Sequence, residues 1–162
     1  MAQSPPPASV HGAPLCLDAD LLLDALASRL EEESASRTGP GVSDATLAAM
    51  AYAFGSAAEK GLDIAHRGNV SCVVGERSGR KVYQVAGTRA GSFGGGGTHA
   101  VAHTCLPREM CTCHVWAWDV AYRNESAVCK HQLACRVAEA CRLVRSSTPI
   151  ADADLAAILA HV

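Results

Sequence analysis

Cys111-Thr112-Cys113, fifteen intervening residues, and then Cys129-Lys130-His131 form the stretch on which the reading of this chain turns. Three thiols and one imidazole are the donor set of a closed structural zinc site, in which Zn²⁺ takes four ligands in a tetrahedron. A single residue between paired ligands is tight, so the backbone must turn sharply at each pair or have just left a strand. The sequence before Cys111 is strand-like, and side chains two apart on a strand point the same way. The sequence after Cys129 is helical, so Cys129 and His131 open a helix whose N-terminal dipole favours thiolate. A strand-turn followed by a helix start can therefore gather Cys111, Cys113, Cys129 and His131 around one ion.

Outward from the ligands the periodicity changes character. Val128 to Val144 reads as helix, with Leu133, Val137, Ala140, Cys141 and Val144 on one face. Val70–Val74 and Lys81–Val85 are short β-prone runs joined by the turn-rich Gly75–Arg80, a predicted hairpin, and strand sequence returns around Ala100–Cys105. Between them, Gly91–Gly97 is nearly all glycine and reads as a flexible loop. On the N-terminal side, Leu22, Leu26 and Leu30 mark a helix from Leu15 to about Glu33, with Glu31–Glu33 as its wet end. Thr38-Gly39-Pro40-Gly41 breaks it. Ser43 then caps a helix carrying Leu47, Met50, Ala51, Phe54 and Ala58, which is expected to stop at Gly61. Ser147-Thr148-Pro149 ends the long segment, and Asp152 opens a short helix through Leu155, Ile158 and Leu159.

The expected fold is α+β: N-terminal helices, then a small antiparallel sheet and a zinc-bound strand-turn-helix. Residues 1–14 read as a disordered tail, 15–66 as a helical region, 67–146 as a β-rich region with the finger at about 103–145, and 147–162 as a C-terminal helix. At 162 residues and 49% hydrophobic content the chain can build one core, yet it has only two Phe, two Trp and three Tyr. A core this light benefits from a metal staple or a partner.

Charge is unevenly spread. Residues 1–65 hold three basic and nine acidic side chains, whereas residues 66–145 hold eleven basic and five acidic. The half with the ligands is the basic one, which suits either a nucleic-acid-facing surface or a solvated face. Arg77, Arg80 and Lys81 are candidates for phosphate contact at the hairpin tip, and Arg136, Arg142 and Arg145 for the exposed side of the finger's helix. Trp116 and Trp118 flank Ala117 and would share one face of an extended chain, as a stacking platform or a lid over the metal. No apolar run is long enough for a membrane helix and Met1–Pro7 has no leader character, so an intracellular chain without a membrane partner is expected. Eight Cys in that compartment argue for metal ligands and buried thiols rather than disulfides.

Together with Tyr52-Ala53-Phe54-Gly55-Ser56, Ser78–Val85 and His103-Thr104-Cys105, the CxC…CxH pattern resembles the SWIM zinc finger, and in particular the short SWIM-domain subunits of the Shu complex. The resemblance spans roughly Leu47 to Leu159. It implies one structural Zn²⁺ on Cys111, Cys113, Cys129 and His131 in a nuclear recombination mediator. Such a subunit pairs with a RecA-like recombinase paralogue and promotes recombinase filaments on single-stranded DNA. A SWIM adaptor for protein partners outside recombination is the alternative. Similar fingers often place Pro after the second Cys, where this chain has His114. His114 and Cys135 remain alternative ligands, and Cys105 is a bystander or buried thiol beside them. Gly75–Lys81 lacks Walker spacing, no C-x-x-C is present, and four protein ligands leave no open metal position. The chain is expected not to be an enzyme.

Overall fold

The computed structural model describes residues 15–36, 42–86 and 102–161. The expected tail 1–14, the Thr38–Gly41 break and the Gly91–Gly97 loop lie outside the described residues.

Helix α1 (Leu15–Ser36) seats Leu23, Leu26 and Leu30 in the core, at 2%, 7% and 1% exposure. The spacing is i, i+3, i+7, so the inward leucine of the first turn is Leu23 and not the expected Leu22, which faces out. Each buried leucine contributes about 2 kcal/mol. Its acidic end is not simply wet. Glu33 accepts hydrogen bonds from the Ser43 amide (2.8 Å), the Ser43 hydroxyl (2.7 Å) and the Thr46 hydroxyl (2.8 Å).

Ser43 caps α2 (Asp44–Phe54) by accepting from the Thr46 amide. The single helix expected here is two. Gly55, at φ +52° and ψ −131°, adopts backbone closed to most side chains and separates α2 from α3 (Ser56–His66). Gly61 does not end α3 but lies within it, because a β-carbon there would stand 2.7 Å from Leu133 Cδ2 and 3.0 Å from the Lys130 carbonyl. Glycine lets α3 approach the next long helix, α4 (Lys130–Ala140), at very short range. That helix stops before the expected Val144, since Arg142 turns into the left-handed region at φ +56°.

The sheet runs β4-β3-β2-β1-β5. Strands β1 (Val70–Gly75) and β2 (Lys81–Ala86) form the expected hairpin, and β3 (Ala102–Leu106) and β4 (Met110–Cys111) continue it antiparallel. The sequence did not announce β5 (Ser147–Ile150), which pairs parallel with β1 on the far edge. It leads into α5 (Asp152–Ala160), whose Asp152 carboxylate accepts the Arg77 and Ser78 amides and the Ser78 hydroxyl at the hairpin tip. The fold is thus α+β as expected, with α4 packed between α3 and the sheet and contributing Leu133, Ala134, Val137 and Ala138 to one core.

Candidate metal centre

β3 and β4 pair so that Cys105 lies opposite Cys111, and the chain then bends to bring Cys113 back beside it. Across from them the N-terminus of α4 opens with Cys129 as its cap, at φ −89° and ψ 161°. Its thiol takes the place a serine hydroxyl would fill, accepting from the Gln132 amide (3.4 Å), while the Cys129 amide donates to Gln132 Oε1 (3.1 Å). Gln132 Nε2 also reaches the Pro107 carbonyl (3.5 Å), tying this cap to the β3–β4 turn. The first turn of that helix then places His131, its second residue, inward.

The ligand atoms of Cys111, Cys113, Cys129 and His131 all lie within 4.8 Å of one another, and all four residues are buried. His131 Nδ1 stands 3.7 Å from Cys111 Sγ. A tetrahedron with zinc–sulfur and zinc–nitrogen bonds of ordinary length has edges of about 3.5–3.8 Å. The separation therefore suits one shared cation. Amide donors turn toward the sulfurs as well: Trp116 N–H lies 3.3 Å from Cys113 Sγ. Taken by themselves the thiols oppose one another's ionisation. Hydrogen bonds from Cys111 and Cys129 hold Cys113 far below the usual thiol range, whereas hydrogen bonding with Cys111 and Cys113 pushes Cys129 well above it. A divalent cation relieves that conflict, since a coordinated thiol is deprotonated outright.

Known proteins point the same way. The human Zinc finger SWIM domain-containing protein 7 is 28% identical over 139 residues, 85% of this chain and 86% of the relative. The zebrafish (Danio rerio) protein of that name is 32% identical over 120 residues, 74% of this chain and 78% of its own length. The chain belongs to the SWIM-type zinc finger proteins. The mouse (Mus musculus) SWIM protein of the same name is 31% identical over 105 residues, 64% of this chain and 62% of the relative. No family-wide sequence profile matches the chain, and no solved structure matches it.

Around this SWIM finger the other candidates separate cleanly. His114 is exposed and faces Trp118 at a ring distance of 5.9 Å, away from the cluster. Cys135 is buried one turn further along α4 and interacts with Cys105, and neither belongs to the four-residue set. Hydrogen bonding with Cys111 pulls the Cys105 thiol down, but Cys135 and burial outweigh it and push the thiol up. Cys72 is buried in the sheet and Cys141 is half-buried at the end of α4, while the Cys16 side chain lies outside the described residues.

Two of the six basic candidates, Arg136 and Lys81, are engaged in ion pairs. Arg136 is only 12% exposed in its side chain and pairs with Asp24 on α1, which Arg108 also meets at 3.0 Å. Lys81 pairs with Glu139 on α4. Arg142 and Arg145 follow the helix rather than line it, so the three arginines form no exposed stripe. Two residues beside the ligands make contacts that the sequence reading did not assign. His103 stacks on His131 with centroids 4.5 Å apart, and nothing in its spacing announces that. Gln132 was legible, as the third residue after a cap.

Proposed function

We propose that this chain is the non-catalytic, zinc-binding subunit of a Shu-type recombination mediator. In this reading it acts in the nucleus, pairs with a RecA-like recombinase paralogue, and helps load recombinase filaments on single-stranded DNA during homologous recombination repair. One observation carries the reading: the likeness to the SWIM domain-containing protein 7 relatives runs along most of the chain, including the helices and hairpin outside the finger. The metal's part is structural. Four buried side chains from β4, the following bend and the start of α4 could occupy every position of one Zn²⁺, leaving none for a substrate or water. When bound, the ion would join the sheet's edge to the helix at the centre of the core.

The test is affinity purification of the tagged chain from dividing cells, beside Cys129→Ser, with mass spectrometry of what is recovered. A RecA-like ATPase with the wild type and not with the variant is the expected result. Recovery of other proteins only, with zinc retained, would replace the mediator with a SWIM adaptor of different purpose.

A further inference from the structure

Cys105 is a buried thiol outside the four-residue set, and it lies on β3 opposite the ligand Cys111. The two are 0% and 1% exposed. The Thr112 N–H donates to the Thr104 carbonyl at 3.0 Å, so in this register Thr104 and Thr112 form a hydrogen-bonded pair. Antiparallel pairs alternate in kind, which makes Cys105 and Cys111 a pair without ladder bonds between them. In such a pair the side chains stand closest together. The two thiols are accordingly hydrogen-bonded to each other, and Cys135 on α4 hydrogen-bonds to Cys105 as well. The other two ligand sulfurs each have a donor: the Trp116 amide for Cys113, at 3.3 Å, and the Gln132 amide for Cys129, at 3.4 Å.

We propose that Cys105 is a positioning residue for the zinc site, donating its S–H to the Cys111 sulfur. This deepens the zinc-binding part of the proposed function and rests on it, but not on the recombination role. Four other side chains fill the tetrahedron, so Cys105 is not itself a ligand and keeps its proton. A coordinated thiol has lost its own, and within this pair only Cys105 has an S–H to give. The Cys105 sulfur can still accept, and the Cys135 S–H is placed to fill that acceptor. Each of the three thiolates then receives one donor, two from backbone amides and one from a side chain. Such partners fix the orientation of a ligand and draw off part of the charge that three sulfurs bring to one ion. For filling space alone an aliphatic side chain at position 105 would serve as well. The donor is what the thiol adds.

The Zn²⁺ affinity of the full chain is read by competition with a chromophoric chelator, beside Cys105→Ala, Cys105→Val and Cys105→Ser. Alanine and valine remove the donor, valine while keeping the space filled, and serine retains a donor. The alanine and valine variants should bind zinc about 10- to 100-fold more weakly than wild type, and serine should restore most of that loss. Co²⁺ loaded in place of zinc reads the sulfurs directly. Losing a donor to a bound thiolate should move the sulfur-to-cobalt charge-transfer band to longer wavelength in the alanine and valine variants and leave it near the wild-type position with serine. Wild-type affinity and an unmoved band in Cys105→Val overturn the proposal. So does a loss confined to alanine, because Cys105 then only fills space, and so does an equal loss in all three variants. In each of those cases the zinc reading stands. A wild type that takes up no zinc overturns the zinc reading and this inference together.

Discussion

Two kinds of tie hold this molecule together, and they sit at opposite ends of its helices. At the finger, four donors from separate segments converge on one point, and none of the segments has reason to be there without the others. At the far end of α1, a single carboxylate, Glu33, gathers the cap of α2 through three hydrogen bonds at the surface. Asp152 does the same for α5 and the hairpin tip. The first tie is expected to be all-or-none and to depend on metal. The second is graded and depends on pH.

The largest expected effect breaks the first tie. Structural zinc in small fingers contributes about 10–16 kcal/mol to folding, more than a domain of this size holds in reserve. Cys129→Ser, or chelation of the wild type, should remove zinc, lose the circular dichroism of α4 and abolish a cooperative melt. A metal-free chain with an intact melt would mean that the core stands without its staple.

Next comes the crossing of α3 and α4. Gly61→Val would drive new methyl groups into Leu133 and the Lys130 carbonyl, so a loss of about 1–3 kcal/mol is expected by thermal denaturation with zinc bound. Gly61→Val with Leu133→Ala should recover part of it. If valine is tolerated with no change, the helices are not as close as described.

The carboxylate tie is expected to be weaker and to carry a pH signature. Hydrogen bonds from Ser43, first its amide and then its hydroxyl, hold Glu33 down from 4.5 to about 2. A folded value below the unfolded one stabilises fully above about pH 5, and the gain fades as pH falls through the folded value. Glu33→Gln should therefore melt earlier than wild type near neutrality, with the gap narrowing as pH is lowered from about 5 toward 3. A gap independent of pH over that range would remove the carboxylate's charge from the account. The smallest effect is expected at the exposed Arg67–Asp63 pair, 2.8 Å apart on α3: Arg67→Ala should shift stability by no more than about 0.5 kcal/mol in urea denaturation.

What the sequence made legible follows the same division. The finger could be read because ligand types and spacings are local and chemically narrow, and the hairpin because alternation and turn residues lie close together. Helix α1 could be read as a helix but not oriented: choosing Leu23 over Leu22 requires knowing where the sheet lies. The split at Gly55 was hidden because Gly55 and Gly61 look alike in sequence, while one supplies a left-handed turn and the other a close contact. The shared face of the two tryptophans was misread for a related reason. Alternation of Trp116 and Trp118 implies a shared face only on a strand, and a π-helical segment reassigns the partners to His114 and Tyr122. Strand β5 was hidden because exposed Ser147-Thr148-Pro149 resembles a terminator and gains its order from pairing with β1.

That edge strand also limits how another chain can attach. Ser146 and Ile150 carbonyls accept hydrogen bonds from β1, so by the two-residue period Ser147 and Pro149 direct their backbone outward. Proline offers no N–H, and at the opposite edge β4 is only two residues long. Among the described residues the sheet has no ladder long enough to be extended by a foreign strand. Among those residues, side chains and helix faces offer more to a partner than either margin of the sheet does.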